Sequence, residues 1–126
     1  MGQAERAELT LSQWEGAAAG LLRELGLCPF RRGDRLLCQA LALAVERPER
    51  LVEGVGPLCA ELAQKRGSTP AAVERSLRRG LDQLWQRGDR LLLRGWFPRL
   101  DGGRRPGSAA FLTILARQMR AAEENL

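Results

Sequence analysis

Residues 57–88 read PLCAELAQKRGSTPAAVERSLRRGLDQLWQRG, and this stretch decides the fold. Apolar residues recur at helical spacing on both sides of the tetrapeptide GSTP at 67–70. Glycine favours the end of one helix, and threonine followed by proline favours the start of the next. The pattern therefore predicts one helix over Pro57–Arg66 and a second over about Pro70–Arg87, joined by a short turn.

The second helix of this pair has two contrasting faces. At about 100° per residue, its apolar side chains form one stripe that must face a core; these are Val73, Leu77, Leu81 and Leu84. Charged side chains cover the opposite side; these are Glu74, Arg75, Arg78, Arg79 and Asp82. Two helices joined by a short glycine-containing turn, the second rich in arginine near its start, form the helix-turn-helix pattern of DNA-binding proteins.

The charged face suits contacts to base edges in the major groove. An arginine can donate two hydrogen bonds to guanine O6 and N7, and a neighbouring carboxylate can accept one from cytosine N4. We therefore predict base contacts from Glu74, Arg75 and Arg78. The same residues also fit an ordinary solvated face, in which Glu74 and Arg78 form an i,i+4 ion pair.

The rest of the chain also shows helical spacing, and no segment shows sustained period-two alternation. Ser12, with Glu15 as its capping-box partner, is predicted to begin the first helix. Asp34 and Ser108 are predicted to cap the second and the last helices. The predicted fold is all-α, a compact bundle of about six helices containing the helix-turn-helix. Residues 1–11 are expected to be a flexible leader, and residues 12–126 one helical domain.

The amino-acid composition and charge limit the kinds of function that the chain can have. The net charge is +5 and the isoelectric point about 10.4, and Lys65 is the only lysine, so the positive charge is almost all arginine. Histidine is absent, and Cys28, Cys38 and Cys59 show no C-x-x-C spacing, so we predict no metal, no cofactor and no enzymatic activity. The cysteines are expected to be small buried apolar residues. With no secretory signal and no apolar run of membrane-spanning length, we predict a cytoplasmic protein with no membrane partner and no small-molecule substrate.

From about Trp14 to Arg120 the chain resembles the DNA-binding effector domain of the stage-zero sporulation response regulator. The stretch 63–88, AQKRGSTPAAVERSLRRGLDQLWQRG, is similar to that family's A-K-K, a turn, T-P-S-R-V-E-R-A-I-R-H-A-I and W-x-R-G. Residues 105–112, RPGSAAFL, resemble its K-P-T-N-S-E-F-I. The resemblance implies a six-helix domain that recognises TGTCGAA-type boxes through the glutamate and arginines at the positions of Glu74, Arg75 and Arg78.

Some residues depart from the family pattern. Ala71 and Ala72 stand where the family has serine and arginine, and Arg79 replaces a histidine. We therefore expect base recognition to be retained and the contacts to the DNA backbone to be redistributed. The predicted backbone contacts are Arg66, Ser68, Thr69, Arg79, Arg104 and Arg105, the last two in the basic loop 101–107.

The resemblance also frames two further hypotheses. Family members carry an N-terminal receiver domain, whereas about a dozen residues precede the first predicted helix here, so we expect an effector-like protein without that switch. A homodimer on tandem DNA sites, with Trp96 and Phe97 at the contact, is one hypothesis. The alternative function, favoured by the loss of polar groups at Ala71 and Ala72, is a protein-interaction module that modulates a related regulator without binding DNA.

Overall fold

A computed structural model describes residues 9–27, 32–97 and 104–124, apart from the side chains of residues 32–34. The described residues form six α-helices, one 3-10 turn and no strand. The all-α fold class predicted from the sequence is confirmed. In chain order the elements are α1 (Leu11–Glu24), α2 (Arg32–Glu46), the 3-10 turn Pro48–Leu51, α3 (Gly56–Arg66), α4 (Pro70–Arg87), α5 (Arg90–Trp96) and α6 (Ser108–Glu124).

Helix α2 is the centre of the bundle. Six consecutive residues, from Ala40 to Val45, are each at most 1% exposed, so this part of the helix is covered on every side. A helix that is apolar all round is stable only when other elements surround it. Helices α1, α3, α4 and α6 all contact α2, and they provide that cover.

Four helix starts differ from the predicted ones, and that of α3 differs by a single residue, because the helix begins at Gly56 rather than Pro57. The cap of α1 is Thr10, not Ser12: Thr10 Oγ1 accepts from the Gln13 amide at 3.1 Å, and Gln13 Oε1 accepts from the Thr10 amide at 2.8 Å. This reciprocal capping box lies two residues before the predicted cap, so the helix begins at Leu11. Helix α2 begins at Arg32, so Asp34 lies inside its first turn. In α6 the carbonyl of Gly107 accepts from the Phe111 amide at 2.8 Å, so Ser108 is the first helical residue rather than the cap.

An aromatic cluster joins α4, the end of α5 and α6. The rings of Trp85, Phe97 and Phe111 meet edge to face, with centroids 5.1–5.9 Å apart. Phe97 is only 6% exposed, whereas its neighbour Trp96 is half-buried. Core packing already covers the ring of Phe97, so Trp96 offers more accessible surface for the hypothesised contact with a second copy.

The described residues also bear on the predicted burial of the cysteines and on the membrane-spanning length of the helices. Cys38 and Cys59 are both buried, as predicted for small apolar residues, and Cys28 lies outside the described part. No helix in the described ranges combines the length and the apolar character needed to cross a bilayer.

Candidate nucleic-acid interface

The turn between α3 and α4 has the predicted geometry. Gly67 adopts φ +62° and ψ +38°, the left-handed region in which a side chain would be strained, and it ends α3. Thr69 Oγ1 accepts from the Ala72 amide at 3.2 Å and caps α4. The residues from 67 to 71 are exposed, so the turn and the start of α4 lie at the surface.

Helix α4 separates an apolar face from a charged one, as its spacing predicts. The buried residues are Val73, Leu77, Gly80, Leu81, Leu84 and Trp85. Arg75 and Leu84 are nine residues apart, and at about 100° per residue this places them on opposite sides of the helix. The face centred on Arg75 is therefore the outer surface of the molecule at α4, and we call it the outer face of α4.

The three predicted base-contact residues lie together in the first half of α4. Arg75 and Arg78 are exposed, and Glu74 is half-buried. Arg78 Nη2 lies 3.3 Å from Glu74 Oε1, and these side chains are 58% and 46% exposed. An ion pair this exposed contributes at most about 1 kcal/mol to folding. The pair can therefore break, and each side chain can hydrogen-bond to a ligand instead, with little loss of folding stability.

Glu74 also influences a group on the neighbouring helix. Cys59 on α3 is 1% exposed, and burial, with a smaller contribution from the charge of Glu74, raises the pKa of its thiol to about 11. The thiol therefore stays protonated at neutral pH, where only the thiolate would be reactive. Glu74 precedes Arg75 by one residue, so at about 100° per residue it lies on the flank of α4, between the core and the outer face.

Several predicted backbone-contact residues line one hollow beside α4. The hollow has a volume of about 410 Å³, and its polar lining includes Arg66, Ser68, Ser76, Arg79 and Gln83. The guanidinium of Arg66 donates from Nη1 to Gln39 Oε1 at 2.6 Å. Gln39 lies on α2, 27 positions earlier in the chain, and the sequence carries no local signal for this contact. It ties the guanidinium of Arg66, at the end of α3, to α2.

The two arginines of the basic loop lie in different surroundings. Arg104 is exposed, whereas the side chain of Arg105 is 17% exposed and its Nε forms an ion pair with Asp82 Oδ1 on α4. Arg105 Nη1 also donates to the carbonyl of Pro106 at 2.9 Å. Residues 101–103 of the predicted loop lie outside the described part. The contact with Asp82 spans 23 positions, and no local signal in the sequence predicts it.

The charges on and around α4 favour an anionic ligand. Both acidic groups of the outer face and its flank, Glu74 and Asp82, are paired with arginines, while Arg75 and Arg79 project from the exposed surface. Arginine presents a planar fork of donors that matches phosphate oxygens and the acceptor edge of guanine. The surface therefore combines positive charge, the hydrogen-bond donors of several guanidinium groups and an exposed helix N-terminus. Proteins bind duplex DNA through features of this kind.

Comparison with known proteins assigns the chain to a family. A family described as "Sporulation initiation factor Spo0A C terminal" matches residues 18–119, which span α2 to α5, the second half of α1 and most of α6. No solved structure matches the chain. The family is the DNA-binding domain of a sporulation regulator. A match over most of the chain, together with an all-α fold and an arginine-rich exposed helix, shows that the chain belongs to the Spo0A C-terminal family of DNA-binding regulatory domains.

Proposed function

We propose that the chain is a sequence-specific transcriptional regulator that binds a TGTCGAA-type box, with α3 and α4 acting as a helix-turn-helix. The observation that carries the proposal is the grouping of Glu74, Arg75 and Arg78 on the solvent side of the first half of α4. A helix whose apolar stripe is held by the core presents such side chains in a fixed orientation to the major groove. A regulator of this kind works in the cytoplasm, at the nucleoid.

Each base-contact residue has a distinct role in the proposal. Arg75 and Arg78 donate to guanine O6 and N7, and Glu74 accepts from cytosine N4. In the free protein Glu74 and Arg78 satisfy each other at 3.3 Å, which holds both side chains on the same side of the helix before DNA arrives. On binding, this weak exposed pair is exchanged for hydrogen bonds to base edges.

The contacts to the DNA backbone surround the base-contact residues. Arg66, Ser68 and Arg79 line the hollow beside α4, and Thr69 caps the start of the same helix. These groups, with the exposed Arg104 of the loop, bind phosphates and fix the orientation of α4 in the groove. Two copies on tandem boxes complete the proposal, and a duplex with two boxes tests it through the stoichiometry at saturation.

The proposal is tested by fluorescence anisotropy with a box duplex and a scrambled duplex at the same moderate salt concentration. The wild type should prefer the box. Arg75→Ala and Arg78→Ala should each reduce that preference by about 1–3 kcal/mol, or roughly 5- to 150-fold. The matched control is Arg117→Ala, which removes another exposed positive charge, from α6, and should affect both duplexes alike.

The other outcomes separate the competing functions. Equal, strongly salt-dependent binding of the wild type to both duplexes would contradict sequence-specific recognition and leave only electrostatic attraction. Absence of binding to either duplex would favour the protein-interaction module. In that case Arg75→Ala and Arg78→Ala should leave promoter occupancy in the cell unchanged.

A further inference from the structure

An acidic residue lies on the surface that the proposed function turns toward DNA. Asp82 follows Arg75 by seven positions and Arg78 by four, so the three side chains share one side of α4. The Asp82 side chain is 50% exposed. A carboxylate at this position carries the same sign of charge as the DNA phosphates and would repel them if it were unpaired.

The carboxylate is paired with Arg105 from the loop before α6. Arg105 Nε contacts Asp82 Oδ1, and Arg105 Nη1 donates to the carbonyl of Pro106 at 2.9 Å. These contacts commit the guanidinium to the protein, and the arginine side chain is only 17% exposed. The preceding residue, Arg104, is exposed and remains available to a ligand.

We propose that Arg105 is a positioning residue for DNA binding rather than a DNA contact. Its ion pair with Asp82 neutralises the carboxylate and holds residues 104–107 against α4, which places Arg104 beside the DNA backbone at the edge of the recognition surface. The inference rests on the proposed function, because it gives the loop its role in binding the same duplex. It assigns the phosphate contact of this loop to Arg104 alone.

The substitution Asp82→Asn distinguishes positioning from simple electrostatics by the sign of its effect. Removing a negative charge beside the DNA would by itself tighten binding. If the ion pair positions Arg104, the same change weakens binding, by about 5- to 10-fold at 0.1 M salt for one lost phosphate contact. The magnitude of the slope of log K against log salt should also fall by about 0.9. Unchanged or tighter binding by Asp82→Asn would overturn the proposal.

Two further variants complete the experiment. Glu49→Gln, at an exposed position in the 3-10 turn, makes the same change in net charge away from α4 and should leave the salt slope unchanged. Arg104→Ala should weaken binding as much as Asp82→Asn, and the double variant should bind no more weakly than either single one. Fully additive losses in the double variant would contradict the action of Asp82 through Arg104.

A measurement on the protein without DNA tests the ion pair independently of the proposed function. In NMR spectra the Nε–H signal of Arg105 should be protected from exchange in the wild type and lose that protection in Asp82→Asn. Absence of protection in the wild type would overturn the ion pair. A wild type that binds box and scrambled duplexes equally contradicts base recognition only, because the loss caused by Asp82→Asn is measurable on either duplex.

Discussion

Helices α2 and α4 have similar lengths, 15 and 18 residues, yet they divide their surfaces in opposite ways. In α2 every residue from Ala40 to Val45 is buried, so no side of that stretch is available to a ligand. In α4 one stripe is buried and the opposite side carries Arg75, Arg78 and Arg79 in solvent. The comparison separates the two tasks of the domain: the buried stretch of α2 contributes stability alone, and α4 uses one face for stability and the other for binding.

The difference follows from position in the bundle. Helix α2 has neighbours on all sides, whereas α4 lies at the edge, packed against α2, α3 and α6 on one side only. In a helix at the edge of the bundle, the helical period decides which side chains face the core and which face solvent. Substitutions in α2 should therefore change folding, while those on the outer face of α4 should change binding without changing folding.

The largest expected effect is the loss of a core side chain from α2. Leu41 is fully buried, and Leu41→Ala should lower the free energy of unfolding by about 2–5 kcal/mol, through lost apolar burial and the cavity left behind. Urea unfolding followed by circular dichroism measures it. The matched control is Leu91→Ala on α5, where the leucine is 82% exposed and the change should stay within about 0.5 kcal/mol. Equal losses in both variants would remove the distinction between buried and exposed positions.

A pH-dependent effect should arise where α3 meets α4. The pKa of Cys59 is raised from 9.0 to about 11, so the folded state keeps the proton that the unfolded state loses. Stability from this group is complete below pH 9 and is lost as the pH rises through 11. The wild type should therefore lose about 2 kcal/mol more than Cys59→Ala between pH 8 and pH 11.

The composition makes that measurement easy to interpret. The chain has no tyrosine and a single lysine, so few other side chains titrate in this range. Urea unfolding of the wild type and of Cys59→Ala at four pH values between 8 and 11 gives the difference directly. Parallel pH curves for the two proteins would show that the buried thiol does not contribute.

An intermediate effect is expected at the start of α4, where folding and binding overlap. Thr69→Ala removes the acceptor of the Ala72 amide and should lower the free energy of unfolding by about 1 kcal/mol. Thr69→Ser keeps the hydroxyl and should restore most of that loss. Thermal unfolding of the three proteins checks the order. A serine variant as unstable as the alanine variant would mean that the methyl group, not the cap, stabilises this turn.

The smallest effect on folding is expected on the outer face itself. Arg79 is exposed, and Arg79→Ala should change the free energy of unfolding by less than about 0.5 kcal/mol. Its effect should appear in binding, where the loss of one phosphate contact lowers the salt slope by about 1 for box and scrambled duplexes alike. A loss confined to the box duplex would instead make Arg79 a base contact.

Some of these features were predictable because their signals are local. Gly67 followed by Thr69 and Pro70 encodes the end of one helix and the start of the next within four residues. The apolar stripe of α4 repeats within one helix, so it predicted both the buried face and the exposed group of Glu74, Arg75 and Arg78. The sequence predicts the wrong cap for α1 because Thr10 and Ser12 are both suitable residues, and only the hydrogen bonds with Gln13 decide between them.

The sequence by itself therefore determined the all-α class, the α3–turn–α4 unit and the division of α4 into two faces, because these depend on contacts within a few turns of one chain segment. Only the tertiary structure decided that Phe97 is covered by Trp85 and Phe111, that Gln39 holds Arg66, and that Asp82 holds Arg105. Their partners come from different helices, and which side chains meet across helices depends on how the whole bundle packs. The spacing of residues within one helix therefore does not predict these contacts.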